Sequence, residues 1–327
     1  LTILRSSMDY VMSSPSAHPR ILFVTPEIIF FPVGSEKNSD YMHAPSNGLA
    51  ELLADLISYL LERGADVNIT QPDYRSVFLD IFRNNQNVAG RKIPETRVHL
   101  TKDRAFFYAN CPESNCRWQN IRISLAFQRE VINRILPLVQ PDLIHCHGWM
   151  TGLIPALARS LEIPCIFTFR NFETSKIPLS EIEDQGIDAA AFWQHLFYYR
   201  FPINYEETRE TNPVDFLLSG IFAADYTNIA GHFFLVKIGK SLIRSPEAPL
   251  VKLLSEKLAI GCQATTDHHA ARTQYIDLYE RLLKRSVIKT RVKKPRLIDA
   301  PMPADIKLNK TDNKDHSVAH HLIRMAG

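Results

Sequence analysis

The segment Pro141-Asp142-Leu143-Ile144-His145-Cys146-His147-Gly148-Trp149 constrains the fold of this chain more than any other stretch. A short apolar run begins behind a proline, ends in two histidines and a tryptophan, and passes at once into helical spacing from about Thr151 to Leu161. An unbroken apolar run of this length fits a strand buried on both faces, the ordinary state of a strand in a parallel sheet. Open sheets of that type receive ligands beyond the carboxyl ends of their strands. His145, His147 and Trp149 stand at such an end.

The same alternation recurs along the chain. Arg20-Ile21-Leu22-Phe23-Val24-Thr25 is rich in strand formers and is followed by Pro26, and residues 26–46 read as a long loop without periodicity. Leu49, Leu52, Leu53, Leu56, Ile57, Leu60 and Leu61 recur at steps of three and four, which predicts an amphipathic helix that Gly64 ends. Asp66-Val67-Asn68-Ile69-Thr70 follows as a strand stopped by Pro72, completing a βαβ unit with a right-handed crossover. A helix over 121–139 closed by Pro141, a strand over 142–147 and a strand Cys165-Ile166-Phe167-Thr168-Phe169 repeat the pattern. Further helices are expected near 188–200, 213–224, 248–259 and 270–285, with a short strand at 226–229. The expected fold is α/β: one doubly wound, Rossmann-like parallel sheet.

Composition narrows the function. A 327-residue chain with 45% hydrophobic residues can bury a large core, and a formal charge of +3 is too small to argue for a nucleic-acid partner. No apolar run reaches the roughly 18 residues that span a bilayer, so no membrane association is expected. Residues 1–19 lack an apolar leader core and read as a flexible segment, and a cytoplasmic protein is the expectation. The sequence opens on Leu1, with Met8 and Met12 as candidate starts. Cys111, Cys116, Cys146, Cys165 and Cys262 read as free thiols. No metal site is expected: Cys111 and Cys116 lack a second ligand pair, and His145 and His147, although they share a strand face, read better as ligand-facing polar residues. His268-His269 and His320-His321 are given no role. From Lys284 the chain turns basic and then polar, so 287–327 reads as a basic, disordered tail, with a docking site for an acidic partner as the alternative.

Three spots converge on the carboxyl edge of such a sheet. Ser46-Asn47-Gly48 enters the first helix, where backbone N–H groups and the helix dipole suit a phosphate. The other two are His145 to Trp149 and Thr168-Phe169-Arg170-Asn171.

Together these motifs resemble the ADP-glucose-dependent glycogen and starch synthases, retaining glycosyltransferases of two Rossmann-like domains (GT-B type). The family's K-T-G-G-L-A-D is similar to Pro45-Ser46-Asn47-Gly48-Leu49-Ala50-Glu51, its H-x-H-D-W to His145 through Trp149, its F-T-I-H-N to Phe167-Thr168-Phe169-Arg170-Asn171, and its P-x-Y to Pro72-Asp73-Tyr74. The resemblance runs from Arg20 to Cys262. It implies His147, Arg170 and Asn171 as catalytic residues, Ser46, Asn47 and Gly48 as donor-phosphate residues, and His145 and Trp149 as sugar-facing. It implies ADP-glucose as donor substrate and no other cofactor.

The departures are equally specific. Pro45 stands where the family has a phosphate-binding lysine, Asn47 where it has glycine, Gly148 where it has a carboxylate near the transferred sugar, and Arg170 where it has a histidine beside that sugar. The family's nucleotide-holding second domain is expected to be missing between Cys262 and Arg272. Residues 20–262 then form the N-terminal synthase-like domain, and 263–286 a remnant of the family's last, crossing helix. A glucosyltransferase of weak or absent activity follows, with a glucan ligand and a second chain supplying the nucleotide domain. The alternative is a non-catalytic glucan-binding or regulatory pseudoenzyme.

Overall fold

The computed structural model describes residues 19–33, 40–43, 49–84, 92–109, 116–229 and 249–258, together with Tyr275, Leu278, Tyr279, Arg281 and Leu282. All of these belong to the first of two compact units, Leu1–Val287. Residues 1–18, the loop carrying Ser46, Asn47 and Gly48, residues 259–274 and the 287–327 tail lie outside the described residues.

In chain order the elements are β1 (Arg20–Val24), β2 (Phe30–Val33), β3 (Asp40–His43), α1 (Leu49–Glu62), β4 (Asp66–Pro72), α2 (Arg75–Asn84), β5 (Lys92–Pro94), β6 (Val98–Thr101) and α3 (Arg104–Phe107). Then come α4 (Arg117–Glu130), α5 (Leu136–Val139), β7 (Leu143–His147), α6 (Ile154–Ser160), β8 (Cys165–Phe169), β9 (Lys176–Ile177) and α7 (Leu179–Asp184). The last are α8 (Tyr205–Thr211), β10 (Val214–Asp215), α9 (Phe216–Ala223), β11 (Tyr226–Ile229) and α10 (Pro249–Leu258).

Six strands pair in parallel in the order β11-β8-β7-β1-β4-β6. Numbered by their own succession along the chain, they read 6-5-4-1-2-3, the order of a dinucleotide-binding doubly wound sheet. The winding reverses between β1 and β7, so the crevice at their carboxyl ends is the topological switch point. Strand parity sorts the core. Ile21, Phe23, Val67, Ile69, Leu143 and Ile166 face α1, while Leu22, Val24, Ile144, Cys146 and Phe167 face the helices after β6.

α1 buries Leu53, Leu56, Ile57 and Leu60, the stripe read from sequence. Gly64 sits at φ +77°; its N–H bonds Leu61 O, and Ala65 N–H reaches back to Leu60 O. This is a Schellman stop, which only glycine adopts without strain. Tyr275, Leu278, Tyr279, Arg281 and Leu282 are helical, and Tyr275, Tyr279 and Leu282 are buried on the α1 side of the sheet.

Four expectations need correction. The 26–46 loop contains β2 and β3, which join β5 in an antiparallel three-stranded sheet. Residues 188–200 form no α-helix but two short 3-10 turns, because Phe192 leaves the helical region (φ −146°, ψ 8°) to bury its ring. The 121–139 helix contains a π turn at Val131–Ile135. Pro137 lacks an N–H and crowds the carbonyl four residues back; that carbonyl, of Asn133, lies within the widened turn. β4 runs through Pro72 rather than stopping before it, with Pro72 opposite Thr101 of β6, a strand the sequence reading missed. Among the described residues no helix is long and apolar enough to cross a membrane.

Candidate functional site

β7 delivers His145 and His147 to the switch point with their rings on one face, 4.1 Å apart between centroids. Their surroundings differ. His145 is fully buried, and both ring nitrogens are engaged: Nδ1 with Tyr279 Oη at 2.6 Å and Nε2 with Thr168 Oγ1 at 2.8 Å. Burial, then the nearby His147, holds its pKa well below the ordinary histidine value, so it is neutral. His147 is 1% exposed, and neither nitrogen has a hydrogen-bond partner among the described residues. Burial alone pushes its pKa down to about 3. An unpartnered buried imidazole is costly unless something else takes its hydrogen bonds. His147 therefore offers one donor and one acceptor at the strand end, with no proton charge at neutral pH.

Next to it the backbone turns at Gly148 (φ +75°, ψ 163°), a region essentially restricted to glycine. Gly148 N–H donates to Thr168 O at 2.8 Å, which ties the turn to β8. Among the described residues, no atom lies within 4 Å of where a Cβ would stand.

Arg170 follows β8 directly, and its Nη2 contacts Glu27 Oε1 at 2.7 Å. Glu27 lies just beyond β1, so the ion pair joins the ends of the two strands that flank β7. Local geometry fixes Glu27: its N–H bonds Thr25 Oγ1 at 3.1 Å. Buried Gln71 holds the following residues, accepting from Ile29 and Phe30 N–H at 3.1 Å and donating to Phe30 O at 2.6 Å. Arg170 is 42% exposed, which leaves guanidinium N–H groups facing outward.

Asn171 is half-buried beside Arg170. Trp149 is 5% exposed and packs near Phe216, with ring centroids 6.4 Å apart. It is a packing residue at the turn into α6. His145, expected to face a sugar, instead has both nitrogens taken within the fold. The structure thus brings together His147, Gly148 and Arg170 and sets Asn171 beside them. It places His145 and Trp149 beneath, and it leaves Ser46, Asn47 and Gly48 outside the described residues.

Sequence reasoning missed Glu27, which has no motif signal beyond its place after a strand. It also missed the roles of the Tyr275 and Tyr279 hydroxyls. Asp73, in the Pro72-Asp73-Tyr74 motif, is fully buried and pairs with Arg75 at 2.9 Å, and Tyr74 is fully buried beside it. Cys116, Cys146 and Cys165 are free thiols, while Cys111 and Cys262 lie outside the described residues. Among the described residues no three His, Cys, Asp or Glu side chains converge as a metal site.

Comparison with known proteins gives a consistent family. The family described as starch synthase catalytic domain matches residues 20–230. Glycogen synthase 2 of Geobacter sulfurreducens is 27% identical over 191 residues, covering 49% of this chain and 39% of that protein. Glycogen synthase of Geobacillus thermodenitrificans is 26% identical over 184 residues, covering 48% and 38%. The chain thus spans about two fifths of the length of these relatives. A solved catalytic domain of starch synthase IV from Arabidopsis thaliana, bound to ADP and acarbose, aligns with a TM-score of 0.41 and 16% identity over 65% of this chain and 45% of that one.

Proposed function

Because this chain belongs to the starch synthase catalytic domain family, we propose that it carries the glucan-side half of a glucosyl-transfer site, with weak or no transfer from ADP-glucose unless a nucleotide-binding domain is supplied by another segment or chain. The observation that carries this is the edge of β7: a buried His147 whose nitrogens have no partner among the described residues, beside the Gly148 turn, where no described atom lies within 4 Å of a Cβ position. A sugar hydroxyl can both donate to and accept from a neutral imidazole, so it matches what His147 leaves open.

Transfer needs more than this. Retaining glucosyl transfer from a nucleotide sugar develops charge on the departing diphosphate, which must be met by fixed donors in a site closed to water. Arg170 is a cation at this edge among the described residues, and Glu27 already neutralises it in part. Losing a single such donor typically lowers the rate by two to three orders of magnitude, about 3–4 kcal/mol. Pro45, which has neither charge nor N–H, removes another.

Titration of the chain with maltoheptaose, followed at the ring resonances of His147, tests the glucan half. Saturable shifts at His147 are expected. Absence of any shift at millimolar ligand overturns the assignment.

A second reading is favoured by one surface feature. Tyr199 and Phe201 are 48% and 50% exposed; Lys176 Nζ lies 4.0 Å over one face of Tyr199, and exposed aromatic faces such as that of Phe201 stack on pyranose rings. Under it the chain holds glucan through these aromatics and performs no chemistry. Phe201→Ala would then lower glycogen co-sedimentation, and maltoheptaose would leave the His147 resonances unmoved in wild type.

A further inference from the structure

His147 makes no hydrogen bond among the described residues, yet two other rings hold it. Phe23 of β1 lies nearly parallel to it, with centroids 6.3 Å apart and 10° between planes. His145 packs against it at 4.1 Å and 38°. The orientation of the His147 ring therefore depends on how firmly His145 is held.

His145 is held at both ends of its ring by a buried polar chain that reaches the C-terminal helical segment. Tyr279 Oη contacts Nδ1, and Thr168 Oγ1 contacts Nε2. Thr168 Oγ1 in turn lies 3.2 Å from Tyr275 Oη, which also accepts from Asn228 Nδ2. The chain thus crosses three adjacent strands, β7, β8 and β11, and is closed by two hydroxyls one helical turn apart. Tyr275 and Tyr279 are 4% and 2% exposed, and their rings also lie near His145, at 5.2 and 5.8 Å. If the helical segment served only to cover apolar surface, phenylalanine would do as well at both positions. The two buried hydroxyls instead supply the hydrogen bonds that hold buried His145 and its threonine partner.

We propose that Tyr275 and Tyr279 are positioning residues for His147, acting through Thr168 and His145 to hold its imidazole at the end of β7 with both nitrogens left for a ligand. The hydroxyls fix the ring tilt of His145 by engaging both of its nitrogens, and the packed ring of His145 passes that orientation to His147. A site whose ligand-facing ring is set in advance loses less free energy on binding than one that must order it. The identity of the ligand rests on the glucan-side reading above; the positioning itself does not.

The test uses the full chain labelled with 15N-histidine and long-range proton–nitrogen spectra of the imidazoles. Tyr279→Phe is expected to displace Nδ1 of His145 and both ring nitrogens of His147, while His99 and His195 stay in place. It should also weaken maltoheptaose binding about tenfold. Leu282→Ala, which thins the same helix packing without touching the polar chain, should leave the His147 resonances unmoved. A folded Tyr279→Phe variant with unchanged His147 resonances overturns the proposal, as does a Leu282→Ala variant that shifts them equally. Should Tyr279→Phe fail to fold, Tyr275→Phe removes the hydroxyl at the other end of the chain and gives the same readout. If wild-type protein binds no maltoheptaose, the glucan reading falls, and the histidine spectra still decide the positioning.

Discussion

His145 and His147 are two residues apart on one strand, and the fold treats them differently. Both are kept neutral by burial, His147 with a pKa of about 3 and His145 well below its ordinary value. In the unfolded chain both titrate near 6.5. Above that pH they are neutral in both states and add no pH dependence. Below it the unfolded chain takes up protons that the folded chain refuses, so stability falls with pH. Each histidine contributes about 1.4 kcal/mol per pH unit until its folded form titrates. Replacing His147 with Phe keeps a ring against Phe23 and removes one of these protons. Chemical denaturation between pH 6 and pH 4 should then show a slope shallower by about 1.4 kcal/mol per unit than wild type. Equal slopes would mean that His147 is not buried as described.

Gly148 gives a second test at this scale. No described atom lies within 4 Å of a Cβ at this position, but the backbone lies in a region that costs other residues about 1–3 kcal/mol. Gly148→Asp should therefore fold with stability reduced by about that amount, measured by urea titration. An unchanged midpoint would show that the turn relaxes. Arg170→Ala should lower stability by less than about 1 kcal/mol, since its pair with Glu27 is partly exposed. An effect several times larger would mark the pair as structural.

At the scale of elements, the site depends on the 3-10 turn Trp149–Thr151 being pressed against α9. A Cβ on Gly152 would meet Phe216 O at 2.0 Å, a backbone atom that cannot swing aside. Gly152→Ala should cost about 3 kcal/mol or more and lower the melting temperature by several degrees, because the contact holds the end of β7 to its neighbouring helix. A near-neutral effect would mean that α9 docks loosely.

This scale also separates what the sequence displays from what it hides. β7, β8 and β11 were legible nearly residue for residue, because buried parallel strands are short apolar runs bounded by proline, glycine or charge. The helix stop at Gly64 was legible from the left-handed turn it supplies. β2 and β3 were not, since Phe30-Phe31-Pro32-Val33 pairs only locally and carries no alternation. The aromatics of 192–201 imitate a helix stripe, but Phe192, Leu196 and Tyr198 reach the core by breaking it. Of the site, the motif residues His147 and Arg170 could be named from sequence. Glu27 and the two tyrosine hydroxyls could not, because their roles arise from chain crossings more than a hundred residues apart.

At the scale of the molecule, the described residues build one doubly wound sheet whose switch point carries a buried neutral histidine, a glycine turn and an arginine paired with Glu27. Family membership fixes the ancestry, and the chemistry of the edge decides the competence. The measurement that bears on this most directly is glucose transfer from ADP-glucose to glycogen by the purified chain, beside an intact glycogen synthase under the same conditions. Under the proposed function, transfer at least about a hundredfold slower than the intact enzyme is expected, since Pro45, Gly148 and Arg170 differ from the residues the family resemblance implies. Turnover within about tenfold of the intact enzyme would contradict it, and would mean that Arg170 and its neighbours form a working donor site.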